Sequence, residues 1–193
     1  YNSASLFVPE GTPDSYKEAT GWKKFSNYVE GYFVDDLTLN DMVFNLIIKG
    51  EGESKMNSAI LTKSATVTSD VVIPESVELN NEKYKVLIIA NSAFSNNSRL
   101  VNIAIPESLI EIGTGAFQGC SNLKIVTLPS TLTKIGPYAF SGCSFTTITI
   151  PANVKTICEF ALACRTLKTV TFAEGCKLTT IEKGAFGSTA IES

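Results

Sequence analysis

The chain has 193 residues, of which 44% are hydrophobic and 18% are charged, and its formal net charge is −3. This composition is typical of a globular domain, and because the chain has no basic excess, nucleic acid is excluded as an expected partner. No apolar run approaches the roughly 18–20 residues that a membrane-spanning helix needs, so we expect no spanning segment.

Residues 1–30 form the first predicted unit. The stretch LFVP from Leu6 to Pro9 has the pattern of a short strand that ends at a proline. Thr12 and Pro13 supply an N-cap and a first helical position for a helix over residues 14–19. We therefore expect a cap-like strand followed by a short helix.

Residues 31–86 are rich in β-forming residues but show no clear period. Asparagine and aspartate pairs between apolar stretches are typical of hairpin turns. Two hairpins are predicted, with strands over residues 37–39 and 43–48 around Asn40 and Asp41, and over residues 77–79 and 84–86 around Asn80 and Asn81.

Residues 87–193 repeat themselves with a period of about 23 residues. One marker is an alanine followed by a large apolar residue, and the spacings between successive alanines are 23, 23, 22 and 24. A second marker, two apolar residues one position apart and then a proline, runs in step with the first. The first marker falls at Ala93, Ala116, Ala139, Ala161 and Ala185, and the second ends at Pro106, Pro129 and Pro151, with a proline-free copy at Ala173.

Each unit is predicted to contribute one short strand, which the proline ends, and one tight helical or 3₁₀ turn. One unit cannot bury its apolar residues alone, so the units must stack into a solenoid with parallel strands. We expect buried side chains at Ile105, Phe117, Leu128, Phe140, Ile150 and Leu162. The predicted strands are Asn102–Ile105, Ile125–Leu128, Thr147–Ile150 and Thr169–Phe172, hydrogen-bonded in that order.

These residues resemble a known family. The segments CSNL at 120–123, VTLP at 126–129 and IGPYAF at 135–140 look like the BspA-type leucine-rich repeat, which is common in surface proteins of host-associated anaerobic bacteria. The match covers roughly residues 71–193. It implies a leucine-rich-repeat solenoid of ~23-residue repeats with parallel β-strands and short helical turns. Residues 31–86 are placed to serve as a β-rich N-terminal cap over its first open face.

The resemblance also implies a protein that is secreted or at the cell surface. Its expected function is that of a non-enzymatic binding or adhesion module for a host or surface protein or a glycan. The alternative is a structural spacer that displays other domains of a larger surface protein. The family has no transferable binding-residue motif, so the resemblance does not name a ligand.

The two ends of the chain suggest an expectation about assembly. Residues 1–30 resemble the piece that closes the far end of such repeat blocks, and residues 185–193 open a repeat without its strand. We expect residues 1–30 to cap the repeat that ends at Ser193, either within one chain or between molecules as end-to-end or swapped self-association. The alternative is that both ends are cuts from a longer tandem array.

The sequence offers no group of residues typical of an active site or a cofactor site. Histidine is absent, and Cys158 and Cys164 lack the second pair that structural zinc requires. Cys120 and Cys143 recur at one place in the repeat with Cys164 near it, which favours a column of small buried thiols over metal binding or a disulfide. We predict no catalytic residue, no metal and no cofactor.

The candidate binding residues lie between the buried positions of the predicted strands. Because side chains alternate along a strand, these residues point outward and form an uncharged, threonine-rich face. Threonine also has high β propensity, so strand stabilisation competes with recognition of an extended protein or glycan. The candidates are Asn102, Ile125, Thr127, Thr147, Thr149, Thr169 and Thr171, with Ala104 beside them.

Overall fold

The protein, as a computed structural model, is described over residues 6–8, 28–30, 32–49, 56–64 and 69–191. The amino-terminal strands are β1 (Leu6–Val8), β2 (Tyr28–Glu30), β3 (Tyr32–Leu39), β4 (Met42–Lys49), β5 (Met56–Ser64), β6 (Asp70–Val72), β7 (Ser76–Leu79) and β8 (Glu82–Ile89). The later strands are β9 (Asn102–Ala104), β10 (Glu111–Ile112), β11 (Ile125–Thr127), β12 (Lys134–Ile135), β13 (Thr147–Ile150), β14 (Thr156–Ile157), β15 (Thr169–Phe172) and β16 (Thr180–Ile181).

Two hairpins form where the sequence predicts them. β3 pairs antiparallel with β4, and β7 pairs antiparallel with β8. Their turns place Asn40 and Asp41 at φ 50 and 61, and Asn80 and Asn81 at φ 52 and 62. Asparagine and aspartate tolerate this left-handed conformation, which gives a two-residue turn the twist of the strands that it joins. Both hairpin predictions are confirmed.

The amino-terminal strands are continuous with the repeats rather than a separate layer. β5 pairs antiparallel with β4 on one side and parallel with β8 on the other. Phe44, Leu46 and Leu61 of this segment are fully buried in the same core as the repeat residues. The segment therefore covers the first coil and hides the apolar end that a solenoid would otherwise expose.

One side of the solenoid is a ladder of parallel strands, in which the end of β8 is followed by the two-residue strands β10, β12, β14 and β16. The first four strands each place an isoleucine in the core, and Ile89, Ile112, Ile135 and Ile157 are fully buried. In the last strand Ile181 is 54% exposed because no described coil lies beyond it. This ladder forms one nine-stranded sheet together with β3, β4, β5 and β7.

A second side carries the strands that the proline marker predicts. β6, β9 and β11 form one parallel sheet, and β13 pairs parallel with β15. The strand bounds agree with the prediction to within one residue. The predicted order of pairing is wrong at one step, because β11 and β13 lie in contact but belong to separate sheets.

The interruption coincides with a missing residue. Nine positions separate Cys120 from Pro129, but only eight separate Cys143 from Pro151. The Ser144 amide donates to the Leu123 carbonyl at 3.0 Å, whereas in the coil before the Lys124 amide donates to the Val101 carbonyl at 3.0 Å. Counted back from the proline of each repeat, the acceptor lies one position earlier and the donor two positions earlier. The shorter path shifts the hydrogen-bond register just before β13, so the ladder restarts there.

The third side consists of the turns that contain the alanine marker. Within a turn the bonds join positions three apart, as from the Gln118 amide to the Gly115 carbonyl at 3.0 Å. Between turns, the Phe117 amide donates to the Ala139 carbonyl of the next coil at 2.8 Å, and equivalent bonds repeat along the stack. Beneath them the rings of Phe94, Phe117 and Phe140 stack at 5.1 Å between successive centroids.

The core is close to the predicted one. Phe117, Phe140, Ile150 and Leu162 are fully buried, and Leu128 is buried. Ile105 is the exception, because it is only half-buried although it packs against the core. The predicted helix over residues 14–19 lies outside the described residues.

Only two short pieces of residues 1–30 are described. β1 pairs parallel with β2 and lies beside β3, the strand at the opposite end of the long sheet from β16. Seven strand steps separate β3 from β16 in that sheet, a distance of roughly 34 Å at ~4.8 Å per step. Within one chain, the strand Leu6–Val8 therefore does not cover the last repeat. Capping between molecules stays a prediction.

Candidate binding surface

The outward positions of β6, β9, β11, β13 and β15 form two columns, which we call the strand face. Between paired strands, side chains in one column are ~4.8 Å apart, and the two columns are ~6.6 Å apart along a strand. The first column is Asp70, Asn102, Ile125, Thr147 and Thr169, and the second is Val72, Ala104, Thr127, Thr149 and Thr171.

The candidate residues from the sequence all lie on the strand face. The five threonines are exposed, and Ile125 is 62% exposed. Thr147 and Thr149 stand directly opposite Thr169 and Thr171 in the parallel register, so four threonines form a rectangular array. Their outward direction is as predicted, and their role in binding remains a prediction.

Asn102 differs from the other candidates because its side chain is already engaged. It is half-buried, and its amide Nδ2 donates to Oδ1 of Asp70 on the neighbouring strand. The hydroxyl of Ser69 donates to the other oxygen, Oδ2. The hydrogen bonds from Ser69 and then Asn102 lower the pKa of Asp70. Asn102 therefore holds an exposed carboxylate in place rather than offering a free amide.

The prediction of an uncharged face is wrong at this first coil, because the face begins with the charge of Asp70. Val72, in the second column of the same strand, is 71% exposed. Neither residue is among the candidates from the sequence. A signal for them is nevertheless present, because Val71, Ile73 and Pro74 are a further copy of the proline marker.

Charged residues border the strand face on both sides. Lys124 and Lys168 directly precede the exposed residues of β11 and β15, and both are exposed. On the other border, Glu107 lies three residues after the end of β9 and Glu174 two residues after the end of β15, and both are exposed. The face thus has an apolar and acidic first half, a threonine-rich second half, and borders of opposite charge.

The cysteines lie away from this face. Cys120, Cys143 and Cys164 are buried, and each thiol donates to the carbonyl of a phenylalanine in the preceding coil at 3.0–3.2 Å. Burial raises the pKa of Cys120 to about 11. A hydrogen bond with Cys164, together with burial, raises the pKa of Cys143 far above its ordinary value. The burial of Cys120, Cys143 and Cys164 in successive coils confirms the predicted thiol column.

The described parts of the chain contain no group of three or more histidine, cysteine, aspartate or glutamate side chains that could hold a metal ion. No helix there has the length and apolar character needed to cross a membrane.

The stacked coils, the buried leucine, isoleucine and phenylalanine columns, and the exposed parallel strands define a leucine-rich-repeat solenoid. The family model described as the BspA type leucine rich repeat region, with six copies, matches residues 87–193. The chain belongs to this family. No curated protein matches the chain.

Solved structures of bacterial repeat proteins resemble the chain. A leucine rich cell surface protein from Faecalibacterium prausnitzii is 26% identical with a TM-score of 0.58, and the match covers 82% of this chain and 47% of that protein. A leucine-rich repeat protein from Bacteroides capillosus is 28% identical with a TM-score of 0.57, and the match covers 72% of this chain and 98% of that protein.

A third structure shares the fold alone. It is the pneumococcal vaccine antigen PcpA, which is 19% identical with a TM-score of 0.58, and the match covers 80% of this chain and 48% of that protein. The chain spans about half the length of the Faecalibacterium and pneumococcal proteins. The described relatives include a bacterial cell-surface protein.

Proposed function

We propose that this chain is a non-enzymatic binding module that acts in adhesion at the bacterial cell surface or after secretion. Its ligand would be a host or surface protein or a glycan, held on the strand face. The observation that carries the proposal is the rectangular array of Thr147, Thr149, Thr169 and Thr171, exposed and in register on two paired strands. The cell-surface relative supports the location.

The chemistry of the array suits an extended ligand. Each threonine offers a hydroxyl that donates and accepts hydrogen bonds and a methyl group that can be desolvated. The side chains are β-branched and held on paired strands, so they lose little freedom when a ligand binds. A repeating polymer with groups ~5 Å apart could therefore form many weak contacts without rearrangement of the protein.

The spacer function is the second candidate, and the coil-to-coil hydrogen bonds favour it. Backbone bonds join neighbouring coils at the turns, for example from Gly119 to Ser141 at 2.8 Å, and on the isoleucine ladder, for example from Gly136 to Ile112 at 2.8 Å. Such a stack is stiff enough to hold other domains at a distance. A pure spacer, however, needs no ligand for its strand face.

The test is a binding screen of the purified chain against defined host matrix proteins and purified glycans, followed by a triple variant. Thr127→Glu, Thr149→Glu and Thr171→Glu place like charges on neighbouring strands in one column. We expect the triple variant to keep the fold and to lose binding of any ligand that the screen finds. A chain that binds nothing in the screen would support the spacer.

A matched control carries the same added charge elsewhere. Ser98→Glu, Ser121→Glu and Ser188→Glu change exposed turn residues away from the strand face. This control should bind as the unchanged chain does. Equal binding by the strand-face variant would show that the strand face is not the site.

A further inference from the structure

The chain segments that lead from the turns into β9, β11, β13 and β15 carry cations and no acids. Arg99, Lys124, Arg165 and Lys168 lie in these segments, and all four side chains are exposed. No aspartate or glutamate occurs in the segments, which are residues 95–101, 118–124, 141–146 and 163–168. We call this edge of the strand face the basic border. Because protein surfaces usually mix charges of both signs, four cations without an acid among them make an electropositive edge.

The charges of the basic border are not neutralised by neighbouring side chains. Elsewhere on the solenoid, Lys134 of β12 forms an ion pair with Glu111 of β10 at 2.8 Å. By contrast, none of the four side chains of the basic border forms an ion pair or a hydrogen bond within the described residues. The four charges are therefore available to an acidic ligand.

Lys124 and Lys168 are the two cations closest to the exposed columns, because each directly precedes the first-column residue of its strand. Their backbone amides donate to the Val101 carbonyl at 3.0 Å and to the Thr146 carbonyl at 2.8 Å in the preceding coil. The coil-to-coil bonds therefore fix where both side chains begin. The two lysines are two coils apart, roughly 10 Å at ~4.8 Å per coil. Thr146 is at the same place in the coil between them, and it is exposed and uncharged.

The order along this edge is thus cation, hydroxyl, cation, with one position in each coil. Beside it, the first column of the strand face offers Ile125, Thr147 and Thr169 in the same three coils. Ile125 is 62% exposed and presents an apolar surface, whereas both threonines present hydroxyls. A ligand that lies along the solenoid axis here meets charged and uncharged contacts in alternation.

We propose that this edge binds an extended acidic glycan in which charged and neutral sugars alternate. Its carboxylate or sulfate groups lie on Lys124 and Lys168, and a neutral sugar lies at Thr146. The inference rests on the proposed binding function of the strand face and names the class of its ligand. A pyranose unit of an extended chain advances by about one coil, ~5 Å, so alternate sugars are spaced as the two lysines are. The ammonium groups donate charge-assisted hydrogen bonds to the acidic groups, and the threonine hydroxyls bond sugar hydroxyls.

An acidic polypeptide does not fit this spacing. In an extended peptide, the side chains on one face recur every ~6.6 Å, so its charges fall ~6.6 or ~13 Å apart rather than roughly 10 Å. A peptide that places one carboxylate on Lys124 therefore misses Lys168. The spacing favours a glycan over an acidic protein segment.

Acids on the rest of the strand face confine the glycan to this edge. Asp70 lies two coils before Lys124 in the first column, so it repels an acidic chain that extends in that direction. Glu174 lies beyond the other end of β15. The strand alone puts roughly 13 Å between Lys168 and Glu174, which exceeds the Debye length of ~8 Å at physiological ionic strength. Glu174 therefore leaves the charge of Lys168 in place but disfavours an acidic chain that crosses the strands.

The test measures binding of the whole chain to polymers that differ in charge and in spacing. Hyaluronan, chondroitin and chondroitin sulfate supply the alternating acidic chain without and with sulfate. Chondroitin whose carboxylates are reduced to alcohols supplies a neutral chain, and poly-glutamate supplies acidic charge at peptide spacing. We expect at least one of the acidic glycans to bind about tenfold more tightly than both comparison polymers. Equal binding of either comparison polymer, or no binding of any acidic glycan at millimolar disaccharide, would overturn the proposal.

A charge variant and a matched control locate the site. Lys124→Gln with Lys168→Gln keeps long side chains but removes both charges, and we expect about tenfold weaker binding of the acidic glycans. Lys155→Gln with Lys183→Gln removes two exposed charges away from the strand face and should leave binding unchanged. Circular dichroism and thermal unfolding establish that each variant is folded. Acidic-glycan binding that is equal in the unchanged chain and in the first variant would refute the basic border as the site.

A further variant separates this inference from the function on which it rests. Thr147→Val with Thr169→Val removes two hydroxyls of the strand face but keeps its shape and charge. Loss of acidic-glycan binding in both the glutamine and the valine variants would support both proposals. Loss in the glutamine variant alone would place the glycan on the basic border and count against the strand face. A neutral ligand that only the valine variant loses, with no acidic glycan bound, would support the strand face and overturn the acidic glycan.

Discussion

The thiol of Cys143 donates a hydrogen bond to the carbonyl oxygen of Phe117, 3.2 Å away and one coil earlier. Cys120 and Cys164 make the same bond to Phe94 and Phe140. Each of these carbonyls already accepts an amide of its own turn, as Phe117 does from the Cys120 amide at 3.1 Å, and the thiol adds a second donor from the next coil. The thiols act as hydrogen-bonding links between coils.

Chemical labelling should reveal this role. Cys176 is partly exposed and should react within minutes with a thiol reagent in the native protein, whereas Cys120 and Cys143 should react only after unfolding. Mass spectrometry of digested samples gives the order of labelling. Rapid native labelling of Cys120 and Cys143 would contradict the buried column.

Stability should fall in alkaline solution because of the same thiols. The pKa of Cys120 rises from 9.0 to about 11 on folding, so the unfolded chain loses this proton first. The stabilisation is complete below pH 9 and is lost as the pH rises toward 11, by about 2 kcal/mol for this thiol at pH 10.5. Urea unfolding at pH 7.5 and 10.5 should show a smaller loss for Cys120→Ala than for the unchanged chain. Equal losses would refute a protonated Cys120.

Phe140 should be a large contributor to the core. Its ring stacks on Phe117 at 5.1 Å and meets the edge of Phe145 at 5.8 Å, and it is fully buried. Phe140→Ala should lower the free energy of unfolding by ~3–5 kcal/mol because it leaves a cavity. Phe172 is 45% exposed, so Phe172→Ala is the matched control and should cost under ~1.5 kcal/mol. Similar costs in denaturant titrations would count against the core assignment.

Two glycines should respond differently to the same substitution. A Cβ on Gly136 would lie 2.9 Å from the Gly113 carbonyl carbon and the Ile112 carbonyl oxygen, which belong to rigid backbone. Gly142 has its nearest neighbours at 3.6 Å but a φ of 77. Gly136→Ala should therefore cost about 3 kcal/mol through steric overlap, and Gly142→Ala about 1 kcal/mol through backbone strain. Thermal unfolding should rank them in that order, and the reverse order would refute the close approach of coils at Gly136.

The effect of the residue missing between Cys143 and Pro151 can be tested by inserting one residue there. One asparagine inserted after Ser144 gives Cys143 and Phe145 the spacing that Cys120 and Leu123 have. We expect β13 to pair with β11 and the amides of Thr147–Ile150 to exchange more slowly with solvent. The same insertion after Gly175, where a Cβ meets nothing within 4 Å, is the control and should leave exchange unchanged. Unchanged exchange in both would refute the missing residue as the cause.

Much of the fold follows from the two markers in the sequence, because a residue pattern of period 23 can bury itself only by stacking. The ladder of β10, β12, β14 and β16 could not be predicted, because a strand of two residues shows no alternation to detect. The restart at β13 comes from a single missing residue. In the core of this coil, the buried side chain of Phe145 occupies the position that Leu123 and Leu167 occupy in the neighbouring coils.

The sequence predicts which side chains of the candidate surface point outward, but it does not predict the hydrogen bonds between them. Alternation along the strands indicates the outward threonines, yet it says nothing of the hydrogen bond from Asn102 to Asp70, which joins residues 32 positions apart. The stacked rings of Tyr138 and Phe160 could not be predicted, because the left-handed position before the alanine marker carries serine, glycine, tyrosine or phenylalanine in different coils and so has no consistent residue pattern.

The interrupted strand ladder has a mechanical consequence. When the solenoid is pulled along its axis, the force at each coil boundary is carried by the backbone hydrogen bonds that cross that boundary. A boundary with fewer rows of these hydrogen bonds should therefore separate at a lower force. The boundary between β11 and β13 lacks its paired strands but keeps the turn bond from Phe117 to Ala139 and the β10–β12 pairing. We expect a stretched molecule in single-molecule pulling to part first at this boundary, with coils on both sides still folded.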